Sequence, residues 1–112
     1  MPEEQTFGGA VSFARKALGL SQKELASRVL KEDGTPITPQ YLNDIEHDRR
    51  SPTSDHMVTA LAKALGQELA YFFLLAGKVH PADVRRAAKA DPKLVQEAVL
   101  AFRTTLKGER KR

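Results

Sequence analysis

The sequence predicts an all-α fold of seven helices, with five helices in a first group and two in a C-terminal extension. Apolar residues recur three and four positions apart along most of the chain, and no stretch shows the alternation of a half-buried strand. Capping residues and glycines also bracket these segments at helical lengths. The chain has 112 residues, which favours one ordinary domain over two.

The first two predicted helices have clear ends. Residues 8–18 form a helix whose apolar stripe ends at Leu18, and Gly19 terminates it by adopting a left-handed conformation. Ser21 and Glu24 then form a capping box that opens the second helix.

The third predicted helix follows a turn at residues 30–36, which are rich in residues that break helices. Thr38 caps this helix, and Pro39 occupies its first position, where the missing N–H costs nothing. Ile37 before the cap and Leu42 inside the helix form a hydrophobic staple.

Four more helices follow from the same spacing, at residues 55–65, 67–76, 81–89 and 92–107. The stretch YFFLLAG in the fifth helix has more consecutive bulky apolar residues than one helix can turn toward one core. The apolar side chains that cannot face this core are covered either by the C-terminal helices of the same chain or by a second subunit. We expect both, and the candidate dimer-interface residues are Tyr71, Leu74, Leu75, Val99, Phe102 and Leu106.

Composition narrows the class of protein. The absence of cysteine excludes disulfides and thiolate metal sites and favours a reducing compartment. The acidic N-terminus is unlike a signal peptide, and the longest apolar run, residues 69–77, is too short to span a bilayer. These features predict a soluble, cytoplasmic protein without a membrane partner.

The net charge of +4 is unevenly distributed. Residues 1–56 contain seven Lys/Arg and nine Asp/Glu, whereas residues 57–112 contain eleven and five. A basic total is compatible with nucleic-acid binding but indicates it only weakly, because most charged residues simply form a solvated surface.

The outward face of the third helix is unusual in composition. With Leu42 and Ile45 placed toward the core, the side chains on the outward side are those of Gln40, Asn43, Asp44 and His47, with Tyr41 and Glu46 on the flanks. Solvated faces favour Lys, Glu and Arg, whereas Gln and Asn can pair with adenine edges. From these residues alone, a polar solvated helix is an equally good interpretation.

Three segments together resemble the Cro/repressor type of helix-turn-helix regulator, the XRE family. They are ARKALGLSQKELA (14–26), ITPQYLNDIEHDRRSP (37–52) and ALAKALG (60–66). The resemblance covers about residues 8–76. It implies that the second helix crosses the DNA backbone and that the third enters the major groove of double-stranded DNA.

The resemblance also implies roles for individual residues. Gln40, Tyr41 and Asn43 match positions that read base edges, and Asp44 and His47 join them because they share the outward side. Gln22, Thr38, Arg49 and Arg50 match positions that hold phosphates, and Lys23 adds local positive charge. Gln22 could also brace Gln40, and Arg15 and Glu46 match a structural ion pair.

Two features depart from the family pattern, and a third, Asp44, is unexpected on a helix face that would meet DNA. The turn at residues 30–36 is longer than usual, and Asp48 stands where the family more often has glycine. Asp44 would repel phosphate, so it either accepts a hydrogen bond from cytosine N4 or discriminates against wrong sequences.

The predicted organisation is a flexible arm at residues 1–7, a helix-turn-helix domain at 8–77 and a C-terminal helical hairpin at 78–112 that packs and dimerises. The predicted function is a homodimeric, sequence-specific transcriptional repressor that occupies operator DNA in a bacterium or phage. The alternative is an antitoxin-like or adaptor module that binds another protein through the fifth to seventh helices. No catalytic motif, cofactor site or metal-ligand spacing is present, and the three histidines are scattered.

Overall fold

The computed structural model describes residues 4–52 and 54–108, and within them it confirms the all-α fold. The seven helices are α1 (Phe7–Ala17), α2 (Gln22–Arg28), α3 (Pro39–Glu46), α4 (Asp55–Leu65), α5 (Leu69–Leu75), α6 (Pro81–Lys89) and α7 (Pro92–Leu106). No helix in the described part of the chain is long and apolar enough to span a membrane.

The chain divides into two compact units, Met1–His80 and Pro81–Arg112. The predicted boundary lay after residue 77, three residues earlier. Residues 78–80 belong to the first unit because two of them contact it. Lys78 Nζ lies 2.8 Å from Asp55 Oδ1, and the His80 ring packs at 5.1 Å from the Phe73 ring.

The core of the first unit lies between its five helices. α1 packs against α3 and α4, α2 packs against α3, and α4 packs against α5. The largest fully buried side chains are those of Phe72, Phe73, Leu25, Leu42, Ile45, Met57 and Leu61. Leu18 was wrongly placed on the inward stripe of the first helix. It is 54% exposed because α1 ends at Ala17, and Leu20 after the turn packs against the core instead.

The start of α1 differs from the predicted flexible arm. Phe7 is the first residue of the helix, and its buried ring meets the Phe72 ring edge-on at 5.3 Å. Thr6 caps the helix by accepting a hydrogen bond from the Gly9 N–H. The last part of the predicted arm is therefore ordered, and residues 1–3 lie outside the described residues.

The predicted turn at residues 30–36 is a small hairpin. Leu30 and Pro36 form an isolated antiparallel bridge, and the Lys31 N–H donates to the Thr35 carbonyl oxygen over 2.8 Å. His56 Nε2 donates to the Leu30 carbonyl oxygen over 2.9 Å, which links the hairpin to α4. A structured insertion therefore separates α2 from α3. The residue composition of this segment predicted only a turn.

The second unit is a pair of helices without a buried core of its own. Asp91 caps α7 by accepting from the Lys93 N–H over 3.0 Å. No side chain of α6 or α7 is buried. Residues 109–112, which belong to the predicted C-terminal hairpin, lie outside the described residues.

α1 and α3 meet backbone to backbone at Gly8. A Cβ atom added to Gly8 would lie 2.1 Å from the Ile45 carbonyl oxygen and 2.9 Å from that of Glu46. Asp48 completes the contact, because its carboxylate accepts from the Gly8 N–H over 3.0 Å and from the Thr6 hydroxyl over 2.7 Å. A carboxylate at a helix N-terminus also interacts favourably with the helix dipole.

Gly8→Ala is expected to lower the free energy of unfolding by about 1–3 kcal/mol, because the backbone of α3 cannot yield to the added methyl group as a side chain could. Gly9→Ala is the matched control. Its Cβ would approach Gln5 Oε1 at 2.5 Å, which is the end of an exposed, flexible side chain. Urea denaturation compares the two variants, and equal stability for Gly8→Ala and the parent would contradict the close packing of α1 on α3.

Candidate nucleic-acid interface

α3 is fixed to the rest of the domain through the buried carboxylate of Glu46. Arg15 on α1 donates to it twice, from Nε to Oε2 over 2.6 Å and from Nη2 to Oε1 over 2.9 Å. Gln22 at the start of α2 donates to Oε1 over 3.0 Å. A third Arg15 nitrogen, Nη1, donates to the Leu20 carbonyl oxygen over 2.8 Å. One carboxylate thus joins three helices, and the expected contact between Arg15 and Glu46 is present.

The environment of this pair favours its charged form. Burial by itself raises the pKa of the Glu46 carboxyl, but the hydrogen bonds from Arg15 and Gln22 and the charge of Arg15 outweigh it, so the pKa lies below its ordinary value. The hydrogen bond to Glu46 raises the pKa of Arg15. Both groups are therefore charged under ordinary conditions, and each is the main compensation for burying the other.

Gln22 also positions a predicted base-reading residue. Its Nε2 donates to Asn43 Oδ1 over 3.1 Å as well as to Glu46. The brace expected toward Gln40 therefore runs to Asn43 instead. Both N–H groups of the Gln22 amide are engaged within the protein, so a phosphate contact from this amide would require one of them to be released.

Asp44, the acidic residue on the outward side of α3, has hydrogen-bond partners within the protein. Asp44 Oδ1 accepts from Gln40 Nε2 over 3.0 Å and from Arg49 Nε and Nη2 over 3.2 and 3.1 Å. Neither alternative for Asp44 from the sequence included this ion pair. In the free protein it offsets the negative charge of Asp44, and it also commits the Arg49 guanidinium, which was expected to hold phosphate.

The backbone conformation at the end of α3 explains how Arg49 reaches Asp44. The Asp48 N–H donates to the Ile45 carbonyl oxygen and the Arg49 N–H to that of Asp44, with Asp48 at φ +58°. This is the Schellman arrangement, whose left-handed residue is usually glycine and sometimes a small polar residue. The tight turn carries Arg49 back toward Asp44.

Tyr41 and Arg50 form a second, separate contact. The Arg50 guanidinium carbon lies 5.0 Å from the centre of the Tyr41 ring, a cation–π geometry. The Tyr41 hydroxyl is buried without a hydrogen-bond partner in the described structure. In this conformation the Tyr41 hydroxyl is therefore not available to a base, although Tyr41 was predicted to be one of the residues that read bases.

The other candidate residues are accessible. Thr38 is exposed and caps α3 by accepting from the Tyr41 N–H over 3.0 Å, which leaves its hydroxyl hydrogen free to donate. Lys23 is exposed on α2. His47 Nδ1 lies 2.9 Å from the Asn43 carbonyl oxygen, so it donates there and leaves Nε2 on the exposed side. The structure thus places the candidate DNA-binding residues on α3, at the start of α2 and in the loop that follows α3.

Sequence reasoning also missed two further contributors to this geometry. Asp48 was noted only as a departure from glycine, although its carboxylate holds α1. A short polar residue that tolerates the left-handed conformation was the available signal. The contact between Tyr41 and Arg50 spans the end of α3, so helical spacing could not reveal it.

Comparison with known protein families identifies the class. The helix-turn-helix family HTH_3 matches residues 13–72, which is more than half of the chain. Searches of curated proteins and of solved structures found no match. The chain belongs to the HTH_3 family of Cro/repressor-type DNA-binding helix-turn-helix regulators, as the resemblance in its sequence predicted.

Alanine substitutions at Arg15 and Glu46 test the buried pair. Each single variant is expected to lose roughly 3–5 kcal/mol of stability, because it leaves the other charge buried and uncompensated. The double variant is expected to lose less than the sum of the two. Chemical denaturation of all four proteins measures the coupling energy, and purely additive losses would contradict the pair.

The same cycle at lower pH provides the control. Because the pKa of Glu46 is depressed by folding, its contribution is complete only above the pKa of the unfolded carboxyl. The contribution is lost as the pH falls through the folded-state pKa. The coupling energy should therefore decrease on acidification, and a coupling that does not change with pH would show that its origin is not ionic.

Proposed function

We propose that this regulator is a sequence-specific transcriptional repressor that binds operator DNA as a homodimer, with α3 in the major groove. The observation that carries the proposal is the pair of amide side chains, Gln40 and Asn43, on a helix that hydrogen bonds hold in place. Gln40 and Asn43 lie on α3, while Glu46 on the same helix is buried in hydrogen bonds to α1 and α2. Specific recognition requires such preorganised side chains on a rigid element.

The proposed base contacts come from Gln40, Asn43 and His47. The Asn43 oxygen is occupied by Gln22, so its amide N–H groups point to an acceptor such as adenine N7 or guanine O6. Gln40 keeps its carbonyl oxygen and one N–H after donating to Asp44. Asp44 and Tyr41 support their neighbours in the free protein, and any base contact of theirs would need a rearrangement on binding.

The proposed phosphate contacts come from exposed groups beside α3, namely Lys23, Thr38, Arg49 and Arg50. Arg50 has no carboxylate partner among the described residues, whereas Arg49 shares its charge with Asp44. Arg50 is therefore expected to contribute more to backbone binding than Arg49. Contacts of this kind position the protein without reading sequence.

Selection of bound sequences from random DNA is the direct test. A homodimer should return a motif with two-fold symmetry, whose half-sites are about one turn, roughly 34 Å, apart. Recovery of no motif would contradict sequence-specific binding.

Gln40→Ala and Asn43→Ala should each weaken binding to the selected operator by about 1–3 kcal/mol and leave binding to unrelated DNA unchanged. Gln67→Ala is the matched control, since this exposed glutamine follows the end of α4. Fluorescence anisotropy with both duplexes measures the effect. If both α3 variants bind the operator like the parent, α3 does not read the sequence.

The proposed dimer contacts use two surfaces, one on α5 in the first unit and one on α7 in the second. Tyr71 and Leu74 are 45% and 43% exposed, and Leu75 is partly buried against the core of its own unit. On α7, Val99, Phe102 and Leu106 lie at helical spacing and are 42%, 46% and 70% exposed. Fully burying each large apolar side chain contributes roughly 1.5–3 kcal/mol, which favours association of such surfaces.

The same surfaces support a second candidate function, an antitoxin-like or adaptor module that binds another protein. Salt distinguishes the two candidates. Operator binding should weaken steeply as salt concentration rises, because bound counterions are released from the phosphates. Binding of an apolar partner surface should respond much less.

Phe102→Asp should convert the dimer to a monomer, because it places a charge within the proposed apolar interface, and operator affinity should fall with it. Phe13→Asp is the matched control, since Phe13 is 73% exposed on α1 outside that interface. Light scattering coupled to size exclusion gives the oligomeric state. A parent that stays monomeric at tens of micromolar, free and on DNA, would contradict homodimerisation.

A further inference from the structure

The hairpin at residues 30–36 lies beside the proposed DNA-binding residues. Lys31 shares one surface depression of about 280 Å³ with Thr38 and Arg50. Tyr41 lies in the wall of this depression, with its ring against the Arg50 guanidinium. Three residues whose side chains can donate hydrogen bonds therefore line one depression, although they belong to the hairpin, the start of α3 and the loop that follows it.

The hairpin holds Lys31 in a fixed backbone position. The Lys31 N–H donates to the Thr35 carbonyl oxygen over 2.8 Å, and the Gly34 N–H donates to the Lys31 carbonyl oxygen over 2.9 Å. Asp33 Oδ1 accepts from the Thr35 N–H over 3.0 Å and from its hydroxyl over 2.7 Å. Gly34, with φ +88°, supplies the left-handed residue that closes the tip.

The base of the hairpin is attached to the core of the domain. The Ile37 N–H donates to the Val29 carbonyl oxygen over 2.9 Å, and both side chains are buried. His56 on α4 holds the Leu30 carbonyl oxygen. The segment is therefore a supported element, and the place of Lys31 relative to Thr38 is set by the fold.

Two cations border the depression. Neither Lys31 nor Arg50 lies within ion-pair distance of a carboxylate in the part of the chain that the structure describes, although Lys31 also acts electrostatically on Asp33 in the same hairpin. Glu32, the one acidic residue of the lining, is exposed. The side chains of Lys31 and Arg50 and the hydroxyl hydrogen of Thr38 supply the kind of donors that the oxygens of a phosphate group accept.

We propose that Lys31, Thr38 and Arg50 form one pocket for a phosphate of the DNA backbone, so that the hairpin extends the footprint of the helix-turn-helix. This inference rests on the proposed DNA-binding function and adds Lys31 to it. Glu32 opposes the contact and limits its strength. The insertion between α2 and α3 is then a clamp on the backbone next to the groove that α3 enters.

The test measures the affinity for the selected operator and for an unrelated duplex over a range of salt concentrations. Lys31→Ala should reduce the salt slope by about 1 and weaken binding to both duplexes roughly five- to tenfold near 0.1 M salt. The hairpin uses only the backbone of Lys31, so circular dichroism should show the parent's melting behaviour.

Two further variants keep the result interpretable. Glu32→Gln should strengthen binding to both duplexes, because it removes repulsion from the same phosphate. Lys63→Ala removes the same charge from the last turn of α4, in a different groove, and should leave the salt slope unchanged. Charges farther from the phosphates than about 8 Å are largely screened at physiological salt.

An unchanged slope for Lys31→Ala would overturn the pocket, and so would equal losses for Lys31→Ala and Lys63→Ala, which would indicate net charge alone. With either result, the proposed DNA-binding function would still hold if the parent protein binds its operator. A parent protein that binds no DNA would overturn the proposed function and the phosphate pocket together.

Discussion

The carboxylate of Glu46 is the group on which the geometry of this domain depends. It accepts hydrogen bonds from Arg15 and Gln22, so it holds α1 and α2 against α3 at one point. A buried carboxylate is costly unless its oxygens are satisfied, and here both oxygens have charged or polar donors. Hydrophobic packing could hold α3 against the core in several rotations, but these directed bonds select one.

A second constraint acts at the end of the same helix. Asp48 terminates α3 in a left-handed conformation and uses its carboxylate to hold the N-terminus of α1 at Gly8. The two contacts lie close together in sequence and approach α1 at both of its ends. α3 is thus fixed on its inner side and at its C-terminus, while Gln40 and His47 on its outer side remain exposed.

Residues 1–56 contain more acidic than basic residues, yet they include the proposed DNA-binding residues. The same contacts explain how these residues could face nucleic acid. Each of the three acids near the end of α3 has an internal partner: Asp44 pairs with Arg49, Glu46 with Arg15, and Asp48 with the start of α1. All three carboxylates therefore have hydrogen-bonding partners within the protein, and those of Asp44 and Glu46 are also offset by an arginine. Lys31 and Arg50, beside α3, form no ion pair with a carboxylate among the described residues.

Much of this protein was determined by sequence alone. Helical spacing fixed the number and approximate limits of the helices, because an amphipathic stripe and its caps are local properties. The capping box of Ser21 and Glu24 and the cap at Thr38 were read directly from residue types at fixed offsets. The family resemblance, which depends on the order of several such local features, gave the class of protein and the pair of Arg15 with Glu46.

Only the tertiary structure decided which polar side chains meet across helices. The brace from Gln22 to Asn43, the contact of Arg50 with Tyr41 and the close approach at Gly8 join residues that are far apart in the chain or separated by an irregular turn. The hairpin at residues 30–36 also emerged only there, since its composition indicates a turn but not where its side chains lie. Local periodicity sets the direction of a side chain about its own helix, whereas its partner depends on how the helices pack.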